Sequence, residues 1–267
     1  MRAGVSSAPP RREHGERPKV AGEVMERPDG ATLSAGSGAM FDGIAATYDR
    51  ANFWLSLGMD ESWRRHAVDA LKLDPDSRAQ VLDVATGTAD VAITCAKRLQ
   101  GSQVVGVDPA VRMLDLGILK AERANLGERI SLQEGDAQAL AFGDDSFDGA
   151  TVAFGIRNIP DRCLALREIR RVLKPGKRVA ILEFSEPEGQ GIERFTRWYM
   201  RRVVPRLGAW LVNAPEYAYL QASIQSFPPP ERFAQELRSS GFVDVNIKRL
   251  SFGACWLYSA RKPAQGV

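Results

Sequence analysis

The stretch that most constrains the fold runs from Val81 to Asp90 and reads V-L-D-V-A-T-G-T-A-D. Its first half is an apolar run with one acid inside it, Asp83, which is typical of a buried parallel strand. The small turn residues Gly87 and Thr88 follow, and an apolar pattern with helical spacing begins at Val91. Such a turn gathers backbone N–H groups and a helix N-terminus at one point. The turn therefore predicts a site for an electron-rich ligand group, or for a cationic ligand group beside Asp83. The alternative is an ordinary strand–helix turn.

A second acid strengthens the prediction of a ligand site. Residues 103–108 read Q-V-V-G-V-D, a further buried strand that ends in Asp108, 25 positions after Asp83. This is near the spacing of about 20 residues at which dinucleotide-binding folds place a ribose-binding carboxylate. Asp108 is therefore predicted to accept hydrogen bonds from ribose hydroxyls. The alternative is an acid that caps the next helix, where Pro109 suits the first helical position.

The composition disfavours several classes of protein. With 36 basic and 33 acidic residues the net charge is +3, which is too balanced to indicate nucleic-acid binding. The three cysteines show no metal-ligand spacing and no disulfide framework, so no metal and a cytoplasmic location are expected. The only histidines, His14 and His66, have no partner motif, which argues against a Ser/His/Asp or Cys/His constellation. No apolar run reaches the roughly 18 residues needed to span a membrane.

The chain divides into three predicted parts. Residues 1–38 lack periodicity and are rich in Gly, Pro, Ser, Arg and Glu, which predicts a disordered tail. Residues 39–78 are predicted to form an N-terminal helical lid, broken at Gly58, because aromatic and apolar residues recur there at helical spacing. These aromatic residues either pack on the core or cover a ligand pocket. Residues 79–263 form the predicted main domain.

Strands and helices alternate along the main domain. The predicted strands lie near 79–85, 103–108, 130–135, 147–153 and 178–184, and the predicted helices near 89–100, 110–125 and 161–173. This alternation implies an α/β fold with a doubly wound, mostly parallel sheet whose carboxyl edge binds ligands. An alternating strand at 242–250 and its return at 254–260 form an antiparallel hairpin, where a dinucleotide dehydrogenase would add parallel units. This ending favours the seven-stranded sheet of a Rossmann-like, class I methyltransferase.

A helical insertion is predicted at about 190–226. Within it, residues 192–205 have the spacing of an amphipathic helix with an aromatic face and a basic face. The two faces consist of Ile192, Phe195, Tyr199 and Val203, and of Arg194, Arg197 and Arg201. Such a helix can lie on an anionic membrane surface, and the alternative is a lid helix with a solvated basic face.

Taken together, these segments resemble the quinone-biosynthesis C-methyltransferases, class I enzymes that act on demethylmenaquinol and on a ubiquinol precursor. The resemblance covers about residues 40–262. Two segments are specific to this family, F-G-I-R-N at 154–158 and L-E-F-S-E-P at 182–187. The other matching segments are M-F-D-G-I-A-A-T-Y-D-R-A-N at 40–52, S-L-G-M-D-E-S-W-R-R at 56–65, D-V-A-T-G-T-A-D at 83–90, G-D-A-Q-A-L-A-F at 135–142, R-V-L-K-P-G-K at 171–177 and Y-A-Y-L-Q-A-S-I at 217–224.

The resemblance implies S-adenosyl-L-methionine as the cofactor. The predicted cofactor-binding residues are Asp83 and Gly87, from the strand and turn, together with Thr88, Asp108, Asp136 and Ala137, which the resemblance implies. Thr88 lies in the loop around the methionine portion, and Asp108 takes the ribose hydroxyls. Asp136 and Ala137 flank the adenine.

The chain departs from the family pattern in its cofactor loop. The usual G-G-T-G-D is here Thr86-Gly87-Thr88-Ala89-Asp90, so two β-carbons stand where the backbone approaches the ligand. If these positions need positive φ, the change weakens cofactor binding or shifts the loop. Asp60 stands where the family usually has His.

Methyl transfer to carbon needs an electron-rich ring carbon, which a hydroquinone supplies when its hydroxyl loses a proton. Because a phenol has a pKa near ~10, a cation or a hydrogen-bond donor beside that oxygen would help. Arg157 and Asn158 are assigned this catalytic role, with Tyr48 as a lid or orienting residue. Arg157 is unsuited as a direct base because the pKa of arginine exceeds ~12. The alternative for Arg157 is a structural salt bridge.

The predicted function is C-methylation of the ring of a prenylated quinol, from demethylmenaquinol to menaquinol. The expected partners are this lipid substrate and the inner face of the membrane as a peripheral contact, and a homodimer stays open. Two alternatives keep the fold and the cofactor, namely methylation of the ubiquinone precursor and methylation of a soluble aromatic or polyketide substrate. A different alternative is a non-catalytic scaffold with a degenerate cofactor loop. A nicotinamide-dependent dehydrogenase is disfavoured because G-x-G-x-x-G is absent.

Overall fold

The computed structural model describes residues 58–184 and 222–264. Several predictions concern residues outside these two ranges. They are the tail at 1–38, the first part of the lid with Tyr48, and the amphipathic helix at 192–205.

The described residues form a seven-stranded sheet in the order β3-β2-β1-β4-β5-β7-β6. The strands are β1 Gln80–Val84, β2 Gln103–Asp108, β3 Ile130–Glu134, β4 Phe147–Ala153, β5 Leu173–Phe184, β6 Val243–Leu250 and β7 Cys255–Arg261. The first five strands are parallel, and β7 runs antiparallel to both β5 and β6. The predicted doubly wound sheet with an antiparallel C-terminal hairpin is confirmed.

The helices of the described ranges are α1 Asp60–Ala70, α2 Asp90–Arg98, α3 Val111–Arg123, α4 Arg162–Val172 and α5 Pro230–Ser239. Four of them lie where the sequence predicted helices, α1 within the helical segment at 39–78 and α2 to α4 in the main domain. The α5 helix was not predicted, although Pro230 occupies a favourable first position and Phe233, Ala234 and Leu237 recur at helical spacing. Residues 222–226 are also helical. No helix of the described ranges is long and apolar enough to cross a membrane.

Two apolar layers cover the two faces of the sheet. One layer contains Trp63 of α1, Ala92 of α2 and Ala121 of α3. The other layer contains Leu166 of α4 and Phe233 of α5. Helices on both faces are what a doubly wound sheet requires, because its central strands are apolar on both sides.

The register of the sheet brings the carboxyl ends of its central strands to one edge. Val84 of β1 is level with Val107 of β2 and with Val152 of β4. Ala153 is level with Leu182 of β5. The loops that leave these strands therefore meet at one edge, which is where doubly wound folds bind ligands.

Candidate active site

The loop between β1 and α2 has an alternating left-handed backbone. Ala85, Gly87 and Ala89 have φ values of 53°, 53° and 66°. Such values are costly for residues with a β-carbon, and strained positions of this kind cluster at functional sites. A β-carbon added at Gly87 would meet nothing within 4 Å, so a ligand can approach the backbone there. The expectation of positive φ therefore holds for Ala89, whereas Thr86 is not among the residues with positive φ.

Thr86 instead contributes its hydroxyl to the support of the loop. Thr86 Oγ1 donates to Asp83 Oδ2 at 2.7 Å, and Thr151 Oγ1 donates to Asp83 Oδ1 at the same distance. Asp83 is only 1% exposed. Burial raises the pKa of Asp83 to about 6, and this effect outweighs the two hydroxyl bonds, which lower the pKa. Both carboxylate oxygens of Asp83 are thus bonded to threonine side chains at the carboxyl end of β1.

Asp108 connects the cofactor loop to the start of α3. Its Oδ2 accepts from Gly87 N at 2.8 Å, and its Oδ1 accepts from Ala110 N at 2.9 Å. The second bond is the helix-capping interaction that the sequence named as the alternative role. A carboxylate has about four acceptor sites, so it can serve these two N–H groups and a ribose hydroxyl together.

A chain of charged side chains holds Thr88 in place. Lys120 Nζ of α3 donates to Thr88 Oγ1 at 3.1 Å and also pairs with Asp90. Arg64 Nη2 of α1 lies 3.2 Å from Asp90 Oδ2 and pairs with Asp60. Asp60, at the position where the family usually has His, thus belongs to a network that joins three helices to the cofactor loop. Sequence reasoning named Asp60 only as a departure and missed this network.

Asp136 and Ala137, the predicted adenine neighbours, follow β3 in a tight turn. Asp136 Oδ1 accepts from Gln138 N at 2.8 Å, and Asp136 forms a backbone bridge with Ala139. Gln138 Oε1 accepts from Asp161 N at 2.9 Å, which ties the turn to the start of α4. The turn lies directly after the strand next to β2, on the same edge as Asp108.

Arg171 of α4 fastens the rest of that segment, and sequence reasoning missed it. Its guanidinium donates to Leu140 O at 2.9 Å and to Phe142 O at 2.8 Å, and it pairs with Glu168 at 2.8 Å. Glu168 Oε2 in turn accepts from Leu140 N at 3.0 Å. The hydrogen bond from Arg171 lowers the pKa of Glu168. The segment beside the predicted adenine site is therefore held by one arginine that a local sequence pattern does not reveal.

Arg157 lies in a short 3₁₀ turn, Ile156–Asn158, that follows β4. Its Nη1 donates to Glu183 Oε1 and to Phe154 O, both at 2.6 Å, and its Nε donates to Ser223 Oγ at 3.3 Å. The side chain is 4% exposed, and its guanidinium lies 5.9 Å from the centre of the Phe184 ring. The salt bridge that the sequence offered as the alternative is present. Its presence leaves the predicted catalytic role open, because a fixed guanidinium can also act on a ligand.

The turn with Arg157 packs directly on the cofactor loop. A β-carbon added at Gly155 would collide with Ala85 Cβ, so glycine is needed for this approach. Asn158 is half-buried, and its backbone N–H donates to Gly155 O at 3.0 Å. The structure thus brings Arg157 and Asn158 to the loop that carries Gly87 and Thr88.

Aromatic side chains cover this edge from the side of α1. Phe154 and Phe184 stack with their ring centres 4.5 Å apart, and Trp63 meets them at 6.1 Å and 6.0 Å. Trp63 Nε1 donates to Ser251 Oγ at 2.8 Å. Trp63 therefore packs in the core, which is the first of the two roles that the sequence allowed for the aromatic residues of the lid.

Comparison with known proteins agrees with this geometry. The sequence profile of the ubiE/COQ5 methyltransferase family matches residues 33–262. The chain belongs to this family. A demethylmenaquinone methyltransferase of Bacteroides fragilis is 42% identical over 224 residues, which cover 84% of this chain and 91% of the relative. A ubiquinone/menaquinone biosynthesis C-methyltransferase UbiE of Geotalea daltonii is 41% identical over 224 residues, covering 84% of this chain and 94% of the relative.

A solved S-adenosylmethionine-dependent methyltransferase of Thermotoga maritima has the same fold. Its TM-score is 0.59 at 18% identity, over 84% of this chain and 99% of that chain. The predicted fold class, family and cofactor are thus confirmed. The protein is an S-adenosyl-L-methionine-dependent C-methyltransferase of the UbiE type, in menaquinone or ubiquinone biosynthesis.

Proposed function

We propose that the enzyme methylates the ring carbon of demethylmenaquinol. The observation that carries the proposal is the direct contact between the F-G-I-R-N turn and the cofactor loop, where Gly155 lies against Ala85. The name of the Bacteroides fragilis relative specifies demethylmenaquinone, and the UbiE relative is named for both quinones. Demethylmenaquinol is therefore the first substrate to test, and the ubiquinone precursor is the second.

Features of the described residues fit the cofactor. Open space lies above Gly87, and the Asp108 carboxylate can serve a ribose hydroxyl beside its two N–H groups. We assign the adenine to Asp136 and Ala137, and the methionine portion to the loop at Thr88 with Asp83 as its buried support. When bound, S-adenosyl-L-methionine supplies an electrophilic methyl group on its sulfonium sulfur.

The protein's own contribution is to orient the quinol and to stabilise its oxygen. Arg157 is held by Glu183, Phe154 and Ser223, so its positive charge has a fixed position at the carboxyl edge. A fixed cation beside the quinol hydroxyl lowers the pKa of that hydroxyl and stabilises the quinolate. Asn158 supports the same oxygen with a neutral dipole, and we assign Tyr48, which lies outside the described residues, as a lid or orienting residue. Most of the acceleration then comes from proximity and orientation of the two reactants.

The prenyl tail of the substrate places the reaction at a membrane surface. We infer a peripheral contact at the cytoplasmic face, made by the basic and aromatic pattern at 192–205. Binding to vesicles with and without anionic lipid tests this contact. Loss of binding at high salt supports it, and equal binding to neutral vesicles contradicts the electrostatic part.

The decisive experiment incubates the enzyme with S-adenosyl-L-methionine and reduced demethylmenaquinone, with the product read by mass spectrometry. A gain of one methyl group on the ring supports the proposal. Parallel reactions contain the oxidised quinone, the reduced ubiquinone precursor and a soluble naphthalenediol without a tail. The oxidised quinone should stay unmethylated because it lacks the nucleophilic carbon. Methylation of the ubiquinone precursor or of the diol, without methylation of demethylmenaquinol, would contradict the proposed substrate. An absence of cofactor binding in calorimetry would favour the non-catalytic scaffold.

A further inference from the structure

The carboxyl end of β5 carries an acid that the proposed chemistry does not use. Glu183 is 0% exposed, and burial raises its pKa, against the neighbouring Arg157 charge. A buried ion pair is weak support for stability, because the cost of removing two charges from water offsets most of their attraction. The presence of Glu183 at this edge therefore invites a functional explanation.

Glu183 binds both the side chain and the backbone of Arg157. Its Oε1 accepts from Arg157 Nη1 at 2.6 Å and from Phe184 N at 2.9 Å, and its Oε2 accepts from Arg157 N at 3.3 Å. These bonds fix the 3₁₀ turn after β4 to the end of β5. A long arginine side chain would otherwise have considerable rotamer freedom.

The bonds to Glu183, Phe154 and Ser223 use Nη1 and Nε of Arg157. Within the described residues, the other terminal nitrogen, Nη2, forms no hydrogen bond. One donor group of a rigidly held guanidinium is thus left for a ligand at the carboxyl edge.

We propose that Glu183 is a positioning residue, which holds the Arg157 guanidinium so that Nη2 is presented to the quinol oxygen. The inference rests on the proposed function and deepens it. The guanidinium acts on the quinol oxygen at short range through this N–H group, so its effect depends on where the donor is held. A displacement of about 1 Å at such a donor can cost about 100-fold in rate.

The test compares Glu183→Gln with the wild-type enzyme on reduced demethylmenaquinone. Glu183→Gln keeps the shape of the side chain and loses the charged acceptor. The expected result is a fall in kcat of about 10- to 100-fold, with the Kd of S-adenosyl-L-methionine nearly unchanged. The pH dependence of kcat should also differ from that of the wild-type enzyme, because the donor beside the quinol hydroxyl has moved. A role in folding alone would move neither the kcat of folded enzyme nor its pH profile.

A matched control is Glu236→Gln, which removes the charge of another glutamate that pairs with an arginine. Glu236 lies on α5 and pairs with Arg162 of α4 at 3.3 Å, a contact that does not involve Arg157. Its kcat and pH profile should match those of the wild-type enzyme. In an Arg157→Met background, adding Glu183→Gln should cause no further loss of kcat, because the positioned group is already gone.

A second variant covers the case that Glu183→Gln does not fold. Glu183→Asp keeps the charge but withdraws the carboxylate by one methylene, so Arg157 shifts while remaining paired. Its kcat should fall and its cofactor affinity should stay. Wild-type kcat and pH profile in a folded Glu183→Gln or Glu183→Asp enzyme would overturn the proposal. Failure of the proposed function is distinct, because it would appear as a wild-type enzyme that does not methylate the quinol.

Discussion

Asp83→Asn is expected to stabilise the protein at neutral pH and to change how its stability depends on pH. The Asp83 carboxyl is 1% exposed, and its pKa rises from an ordinary 3.8 to about 6 because burial penalises the charged form. Between these two values the folded protein binds a proton that the unfolded chain has released. The free energy of unfolding therefore falls as the pH rises through this window, and it levels off above about pH 6.

The size of the effect follows from the two pKa values. A difference of about 2 between the two pKa values lowers the free energy of unfolding by roughly 3 kcal/mol across the whole window. About half of this decrease occurs above about pH 5. Asp83→Asn removes this dependence. One of the hydroxyls of Thr86 and Thr151 must then reorient to accept from the new amide, at a cost of about 1 kcal/mol. The net gain at about pH 8 is thus roughly 1–2 kcal/mol.

The assay is urea unfolding of both proteins, without cofactor, at several values between about pH 5 and pH 8. The stability of Asp83→Asn relative to wild type should rise by roughly 1–2 kcal/mol over this range. Asp148→Asn is a control that should show no pH dependence in this range. The bonds from Lys174 and Gln80 outweigh burial and lower the pKa of Asp148 below its ordinary 3.8, so its contribution to stability is lost only at pH values below those of the assay. A flat difference, or a relative stability of Asp83→Asn that falls with rising pH, would refute the reasoning.

Four further substitutions test the cofactor site. Asp108→Ala should weaken S-adenosyl-L-methionine binding by about 1.5–3 kcal/mol in calorimetry, since it removes a charged acceptor; unchanged affinity would exclude Asp108 from the site. Ala89→Gly should raise the melting temperature because it relieves the left-handed strain, and Thr86→Gly should lower the melting temperature because it removes the bond to Asp83. A melting temperature that falls for Ala89→Gly and rises for Thr86→Gly would contradict the loop geometry. Arg171→Ala should raise the Kd of the cofactor about 10-fold with little change of kcat at saturation, and a lower kcat with unchanged Kd would argue against its role.

The sheet could be predicted because its pattern is local. Residues 81–84 and 103–108 are short apolar runs bounded by turn residues, and strands buried on both faces require such runs. The alternation at 243–250 likewise marks a strand that is half-exposed at the edge of the sheet. The beginning of β5 was harder to predict. Gly176, just beyond the helix predicted near 161–173, lies within that strand, and its N–H donates to Lys262 O at 3.1 Å, a contact from distant sequence.

Partners within the site escaped prediction for the same reason. Glu183 meets Arg157 across 26 positions of sequence, and the contact depends on the register between β4 and β5. Thr86 was read as a source of strain, although a hydroxyl three positions after an acid can also bond to it, as it does to Asp83. A resemblance to a family identifies which residues occur in a motif. It does not identify the side chains that hold them, because those contacts form only in the folded chain.

The strained loop is fixed by the protein's own packing. A β-carbon added at Gly117 of α3 would lie 3.1 Å from Ala89 Cβ and 3.2 Å from the carbonyl carbon of Thr88, so this helix approaches the loop closely. On the other side, Gly155 lies against Ala85. Residues with a β-carbon keep a left-handed conformation only where the surrounding structure enforces it. Here Gly117 and Gly155 let the neighbouring elements pack closely enough on the loop to do so. Because the loop is already ordered, the cofactor does not have to provide the free energy of ordering it, and more of its binding energy remains for affinity.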